Sequence, residues 1–258
     1  LFYKFMILGI VQARMQSVRL PGKVLLPLEG KPILWHIFFR LAKSKLIDDI
    51  CISTSTNPTD DKIEKFAHKY GIKIFRGSEE NLVKRHLDAA KKFDADVIVR
   101  ITGDCPLVDP QIVDEVIEAY LKDKKLDFVS NAKTKTYPVG LDVEVFPVKT
   151  LEKIFSISED PIFYEYFISN YIFENPSIFK SKGISLNNPN LLRWTLDYPE
   201  DYMFFKKIFE ELYLDDKIFH MDDVLNFLEE HIEVSKINSM HHNEFSHLKY
   251  QREMSKKK

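Results

Sequence analysis

Short apolar runs alternate with amphipathic stretches through the first half of the chain. The runs near 5–12, 49–54, 72–76 and 96–101 are rich in Ile, Val and Leu and bounded by polar residues, so they predict buried strands. Between them, apolar residues recur every three or four positions over 32–43, 60–70 and 80–92, the spacing of helices with one buried face. Asp60 stands where a helix cap is wanted, and Gly71 where that helix ends. A further helix over 110–121 starts at Pro110, with Asp109 as its cap. Strands alternating with helices predict an α/β fold with a mainly parallel sheet. Beyond about 125 the rhythm changes. Segments 126–130, 141–146 and 192–196 read as strands, and 147–175, 200–213 and 221–231 as helices. The aromatic residues of 147–175 suit core packing or a dimer face.

Composition narrows the class. The chain has 258 residues, enough for one large α/β domain. Its net charge of −2 argues against a dedicated nucleic-acid binder, which carries a basic excess. Two scattered cysteines, Cys51 and Cys105, make neither a disulfide framework nor a zinc quartet, so a cytoplasmic location is expected. No apolar run approaches the roughly 18 residues of a membrane span. The N-terminal run is too short and strand-like for a signal peptide, although the chain begins at Leu1. The polar end, 239–258, with His241, His242, His247 and a lysine run, reads as a mobile tail.

Against this neutral background, cations gather in one place. Arg14, Arg19 and Lys23 fall within ten residues just after the first strand, beside the turn residues Pro21 and Gly22. Guanidinium forks and a lysine point charge on a loop past the carboxyl end of a parallel strand suit a triphosphate. Two aspartates follow predicted strands. Asp104 lies in R-I-T-G-D-C-P, where Gly103 permits close backbone approach; Asp197 lies in L-R-W-T-L-D-Y-P-E-D. Either aspartate alone suits a turn or a helix cap. Together with the basic loop they suit metal-assisted nucleotidyl transfer, in which carboxylates fix Mg²⁺ against phosphate oxygens. Glu200 and Asp201 fall in a helix's first turn and read as structural. Cys105 and His36 read as packed rather than catalytic.

At these motifs the chain resembles the CMP-sugar synthetase superfamily, which includes acylneuraminate and 3-deoxy-manno-octulosonate cytidylyltransferases. Within it, the resemblance is to the spore coat polysaccharide biosynthesis protein F branch. The opening A-R-x-x-S-x-R-L-P-G-K matches at Ala13, Arg14, Ser17, Arg19, Leu20, Pro21, Gly22 and Lys23, and G-K-P matches at Gly30, Lys31 and Pro32. T-G-D-C-P, G-L-D-V-E-V-F and T-L-D-Y-P-E-D match at 102–106, 140–146 and 195–201. The resemblance implies a Rossmann-like nucleotidyltransferase fold with helices on both faces of the sheet, over a single domain at 1–238. It implies a smaller acceptor-binding and dimerisation region near 130–190 and a homodimer.

It also implies CTP as substrate. Ala13, Arg14, Ser17, Arg19, Gly22, Lys23, Arg76, Gly103 and Asp104 would line the nucleotide site. Arg76 would approach the base, unless it pairs with Glu79 or Glu80. Asp104 and Asp197 would carry Mg²⁺, and Arg14 and Lys23 would join them in catalysis. Asp142 and Glu144 share one face of a predicted strand and, with Glu165, would meet a sugar-type acceptor. The branch often shows R-E-H-V-T-P where this chain has Y-E-Y-F-I-S at 164–169, keeping only Glu165. That departure bears on the acceptor, not on the nucleotide chemistry. Two other classes remain open at this point, a nucleotide-sugar glycosyltransferase and a non-catalytic nucleotide sensor. Glycosyltransferases of that kind place Asp-x-Asp at a strand's carboxyl end, whereas Asp94-Ala95-Asp96 precedes its strand.

Overall fold

The computed structural model describes residues 5–134, 136–157, 168–188, 192–215 and 217–241. A seven-stranded sheet runs through the middle of the molecule. Its strands in chain order are β1 (Ile7–Gln12), β4 (Asp49–Ser55), β5 (Lys73–Gly77), β6 (Val97–Thr102), β7 (Phe128–Ser130), β8 (Glu144–Pro147) and β9 (Ser181–Gly183), and their spatial order is β5-β4-β1-β6-β8-β7-β9. The first four pair in parallel, while β8 runs antiparallel to both β6 and β7. A two-stranded hairpin, β2 (Pro27–Leu28) and β3 (Lys31–Pro32), stands apart from the sheet.

Helices cover both faces, as parallel strands require. Alternation along β1 divides the core. Ile7 and Val11 pack on one side with α1 (Ile33–Leu41), α2 (Asp61–Tyr70), α4 (Pro110–Lys122), α7 (Pro199–Leu212), α8 (Met221–Glu230) and α9 (Ile232–Ser235). Leu8 and Ile10 pack on the other with α3 (Leu82–Lys92), α5 (Val148–Ile157) and α6 (Ile168–Glu174).

Order explains where a ligand fits. From β1 the chain crosses to β4 and on to β5 on one side, then returns to place β6 on the other side of β1. The strand order therefore reverses between β1 and β6, and open α/β sheets bind ligands in the crevice beyond the carboxyl ends at such a point. The basic loop leaves β1 there, and the Asp104 loop leaves β6.

The two loops touch. The amide of Gly103 donates to the Gln12 carbonyl at 2.7 Å, and a Cβ on Gly103 would stand 2.8 Å from that oxygen. Gly103 thus serves the packing of two chain segments.

One predicted strand is absent. Among the described residues, 192–196 pair only through a bridge between Val139 and Arg193. The amide of Trp194 donates to Val139 and that of Leu196 to the Asp104 carbonyl, at 2.6 and 2.9 Å. The predicted strand 141–146 begins only at Glu144, and β9 and the hairpin escaped the sequence reading.

Candidate active site

Lys23 sits on a 3-10 turn, Lys23–Leu25, that closes the basic loop. Its ammonium lies between the two aspartates. It donates to Asp104 Oδ2 at 2.6 Å, to Asp197 Oδ1 at 2.9 Å and to the Leu196 carbonyl at 2.8 Å. Arg19 reaches the same Asp197 oxygen at 2.8 Å, and its guanidinium lies 4.8 Å from the centre of the Tyr198 ring. The aspartates are thus held within the reach of one ammonium group. Side-chain exposures of 11%, 24% and 18% for Lys23, Asp104 and Asp197 leave the cluster open to solvent on one side.

The charges are strongly coupled. Burial alone would lower the Lys23 pKa, but the field of Asp104 and Asp197 outweighs it and holds the amine above its ordinary value. Burial would raise Asp197, yet Lys23, Arg19 and Arg193 drive it well below the usual carboxylate range. Both groups are therefore charged at neutral pH.

A buried frame fixes Asp197. Arg193, only 2% exposed, donates from Nη2 to Asp197 Oδ2 at 2.9 Å and to Asp201 Oδ2 at 3.2 Å. Asp201 Oδ2 also accepts the amides of Asp197 and Tyr198, and its other oxygen accepts from Asn238 Nδ2 at 2.9 Å. The helix that follows starts from Tyr198 as its cap, so Asp197 is spared the capping role that was its alternative.

The profile of the cytidylyltransferase family matches residues 8–245. The chain belongs to the cytidylyltransferase family. It is 37% identical over 240 residues to an uncharacterized protein of Methanocaldococcus jannaschii, covering 90% of this chain and 94% of that one. It is 34% identical over 214 residues to the spore coat polysaccharide biosynthesis protein SpsF of Bacillus subtilis, covering 80% and 87%. A solved cytidylyltransferase from Leptospira borgpetersenii superposes with a TM-score of 0.85 at 35% identity, covering 90% of this chain and 98% of that one. The chain is thus a CTP-dependent nucleotidyltransferase with the Rossmann-like fold of its relatives.

The cytidylyltransferase does not gather every residue singled out from the sequence. Ala13 and Gly22 shape the loop: the Ala13 amide donates to the Ser53 carbonyl, and that of Gly22 to Met15. Ser17 accepts from the Leu20 amide at 3.4 Å. Arg14 is exposed and makes no ion pair among the described residues. Arg76 is committed elsewhere. It pairs with Asp61 and Glu64 of α2 and donates to the carbonyls of Ser55 and Asn57, so neither Glu79 nor Glu80 is its partner. Glu144 is buried against Arg100 at 2.7 Å, with Arg100 also donating to Gln12. The expected pair of cleft carboxylates is therefore reduced to half-buried Asp142, whose pKa is raised to about 6 by burial and then by Glu144. Glu165 lies outside the described residues. Asp60 does not cap α2 with its side chain; it accepts from Thr54, Ser55 and the Met15 amide.

Asp60, Arg193, Asn238 and Arg100 escaped the sequence reading as site residues. Arg193 and Arg100 carried a signal, since each interrupts an apolar run, and a buried arginine must be paired. His36 and Cys105 are packed. Burial lowers His36 to about 4, with Nε2 against the Leu28 carbonyl, and raises the Cys105 thiol far above its ordinary value.

Proposed function

We propose that the protein transfers CMP from CTP to an oxygen of a sugar, sugar acid or related acceptor, with Mg²⁺, releasing pyrophosphate in the synthesis of a surface polysaccharide or glycoconjugate. The observation that carries this reading is the convergence of Asp104 and Asp197 on one ammonium at the carboxyl edge of the sheet. Two carboxylates are the hard oxygen donors Mg²⁺ prefers. Among the described residues no three metal-ligating side chains converge, so an ion held by this pair would need further ligands from phosphate oxygens and water. When bound, the metal would offset charge on the phosphates.

The chain's own residues would do the rest. Arg14, Arg19 and Lys23 would hold the triphosphate by charge-assisted hydrogen bonds. The frame of Arg193, Asp201 and Asn238 would keep Asp197 in place. Asp142, at the mouth of β8, would meet the acceptor and hold its attacking oxygen in line with the α-phosphorus. The β-phosphate would leave with the γ-phosphate as pyrophosphate. The name of the Bacillus subtilis relative supports a polysaccharide precursor as product.

The glycosyltransferase alternative finds no support. Asp96 is used at the amino end of β6, where its carboxylate accepts the Met6 amide, across the sheet from Asp104. Exposed Phe155, Ile157 and Ile178 support the homodimer face, and the two buried free thiols suit a reducing cytoplasm. No helix among the described residues is long and apolar enough to cross a membrane.

The test is pyrophosphate release from CTP and Mg²⁺ over a panel of sugar acids and phosphorylated sugars, with Asp104→Asn and Asp197→Asn as controls. Acceptor-dependent release that both variants lose supports the reading. Transfer from a nucleotide sugar without pyrophosphate, or tight CTP binding without product, would replace it with a glycosyltransferase or a sensor.

A further inference from the structure

The aspartate pair already holds a cation that belongs to the chain. All three N–H bonds of the Lys23 ammonium are spent on Asp104, Asp197 and the Leu196 carbonyl. In this arrangement Lys23 has nothing left to give a phosphate. An ion bridging the same carboxylates needs oxygens at about 2.1 Å. An ion held by the two oxygens that Lys23 uses would have to take the ammonium's place, 2.6 and 2.9 Å from them. Arg19 and Arg193 also draw on Asp197. A divalent ion added to this set would crowd four cationic groups onto three carboxylates, Asp201 included, with like charges only a few ångströms apart.

We infer that Lys23 is the resident counter-ion of the Asp104–Asp197 pair, and that a divalent ion takes this seat only as a nucleoside triphosphate draws Lys23 away. This rests on the reading of metal-assisted cytidylyl transfer and gives it an order. The triphosphate supplies the anion that Lys23 needs in exchange, and it brings the metal. Charge stays balanced throughout: a monovalent cation leaves the pair as a divalent one arrives with its polyanion. Two protein oxygens are too few to hold the metal firmly unaided, so the nucleotide also completes its coordination. Lys23 offsets the mutual repulsion of the two aspartates.

Mn²⁺ binding to the full chain tests this without turnover, read from the loss of the free-ion paramagnetic resonance signal. Wild type should bind Mn²⁺ alone at least about tenfold more weakly than Lys23→Met, or ~1.4 kcal/mol. With a CTP analogue carrying a methylene between the α- and β-phosphorus, wild type should gain a tight Mn²⁺ site that Asp104→Asn lacks. Equal Mn²⁺ affinity of wild type and Lys23→Met would overturn the inference. Should Lys23→Met fail to fold, wild type decides alone. Tight Mn²⁺ binding without nucleotide, lost in Asp104→Asn, overturns it, and its appearance only with the analogue supports it. Pyrophosphate release from CTP is measured on the same sample. Its absence counts against cytidylyl transfer, while the Mn²⁺ comparison still decides the role of Lys23.

Discussion

The backbone amide of Met15 donates to the carboxylate of Asp60 at 2.7 Å, tying the basic loop to the start of α2. Asp60 is 1% exposed and also accepts from the hydroxyls of Thr54 and Ser55. A buried carboxylate with this many donors fixes the loop that carries Arg14, Arg19 and Lys23.

Asp60→Asn keeps the shape and loses the charge. It should lower stability by about 1–3 kcal/mol, since a charged acceptor becomes a neutral one among donors it cannot all satisfy. Catalytic efficiency toward CTP should fall more than efficiency toward the acceptor. Urea melts and separate KM measurements for the two substrates check both.

Arg193→Met should be the harsher change. It leaves Asp201 buried without its cation, and breaking such a pair costs about 3–5 kcal/mol. Arg193→Lys keeps a charge, but its shorter ammonium cannot reach the point between the two carboxylates that Nη2 occupies. That variant should fold and need more Mg²⁺ for half-maximal rate, with an increase of roughly tenfold if Asp197 loses its orientation. A Mg²⁺ titration of initial rates beside thermal melts separates orientation from folding.

Asp142 gives a pH signature. Its folded pKa of about 6 lies above the ordinary aspartate value of 3.8, so folding favours the protonated form. Its favourable contribution is complete below pH ~3.8 and is lost as pH rises through ~6, up to about 2–3 kcal/mol. Asp142→Asn removes the penalty. The variant should therefore melt higher than wild type at pH 7.5, with the gap closing by pH 4. Equal melting across that range would show that Asp142 carries no such strain.

Gly140 has φ of +109°, and a Cβ there would lie 2.0 Å from the Trp194 carbonyl oxygen. Gly140→Ala forces the segment before β8 away from the extended stretch leading to Asp197. Backbone strain and overlap together should cost about 3 kcal/mol. Equilibrium unfolding should show the loss, and Asp197 should misalign enough to depress kcat.

Much of this was legible in the residues. The four central parallel strands are buried on both faces, so their runs of Ile, Val and Leu stand out. The convergence of the basic loop with Asp104 and Asp197 was expected, and the fold brings Arg19 and Lys23 to them. What failed depended on partners distant in sequence. Leu192, Trp194 and Leu196 alternate as a strand would, but their neighbours offer only a single bridge. Glu144 looked like half of a cleft pair because nothing along the chain reveals that Arg100 stands opposite it in the β6–β8 register. Arg76 was expected to approach the base or to pair with Glu79 or Glu80; the acids it pairs with lie instead on α2, earlier in the chain.

The hydrogen bond from the Leu196 amide to the Asp104 carbonyl fastens the two halves of the acidic pair directly to each other. The stretch between them is itself built into the sheet, where β8 pairs with β6, so the spacing of the carboxylates is clamped at the loop and braced again by the neighbouring strand. Slackening that one contact would part the acidic pair even with both loops intact.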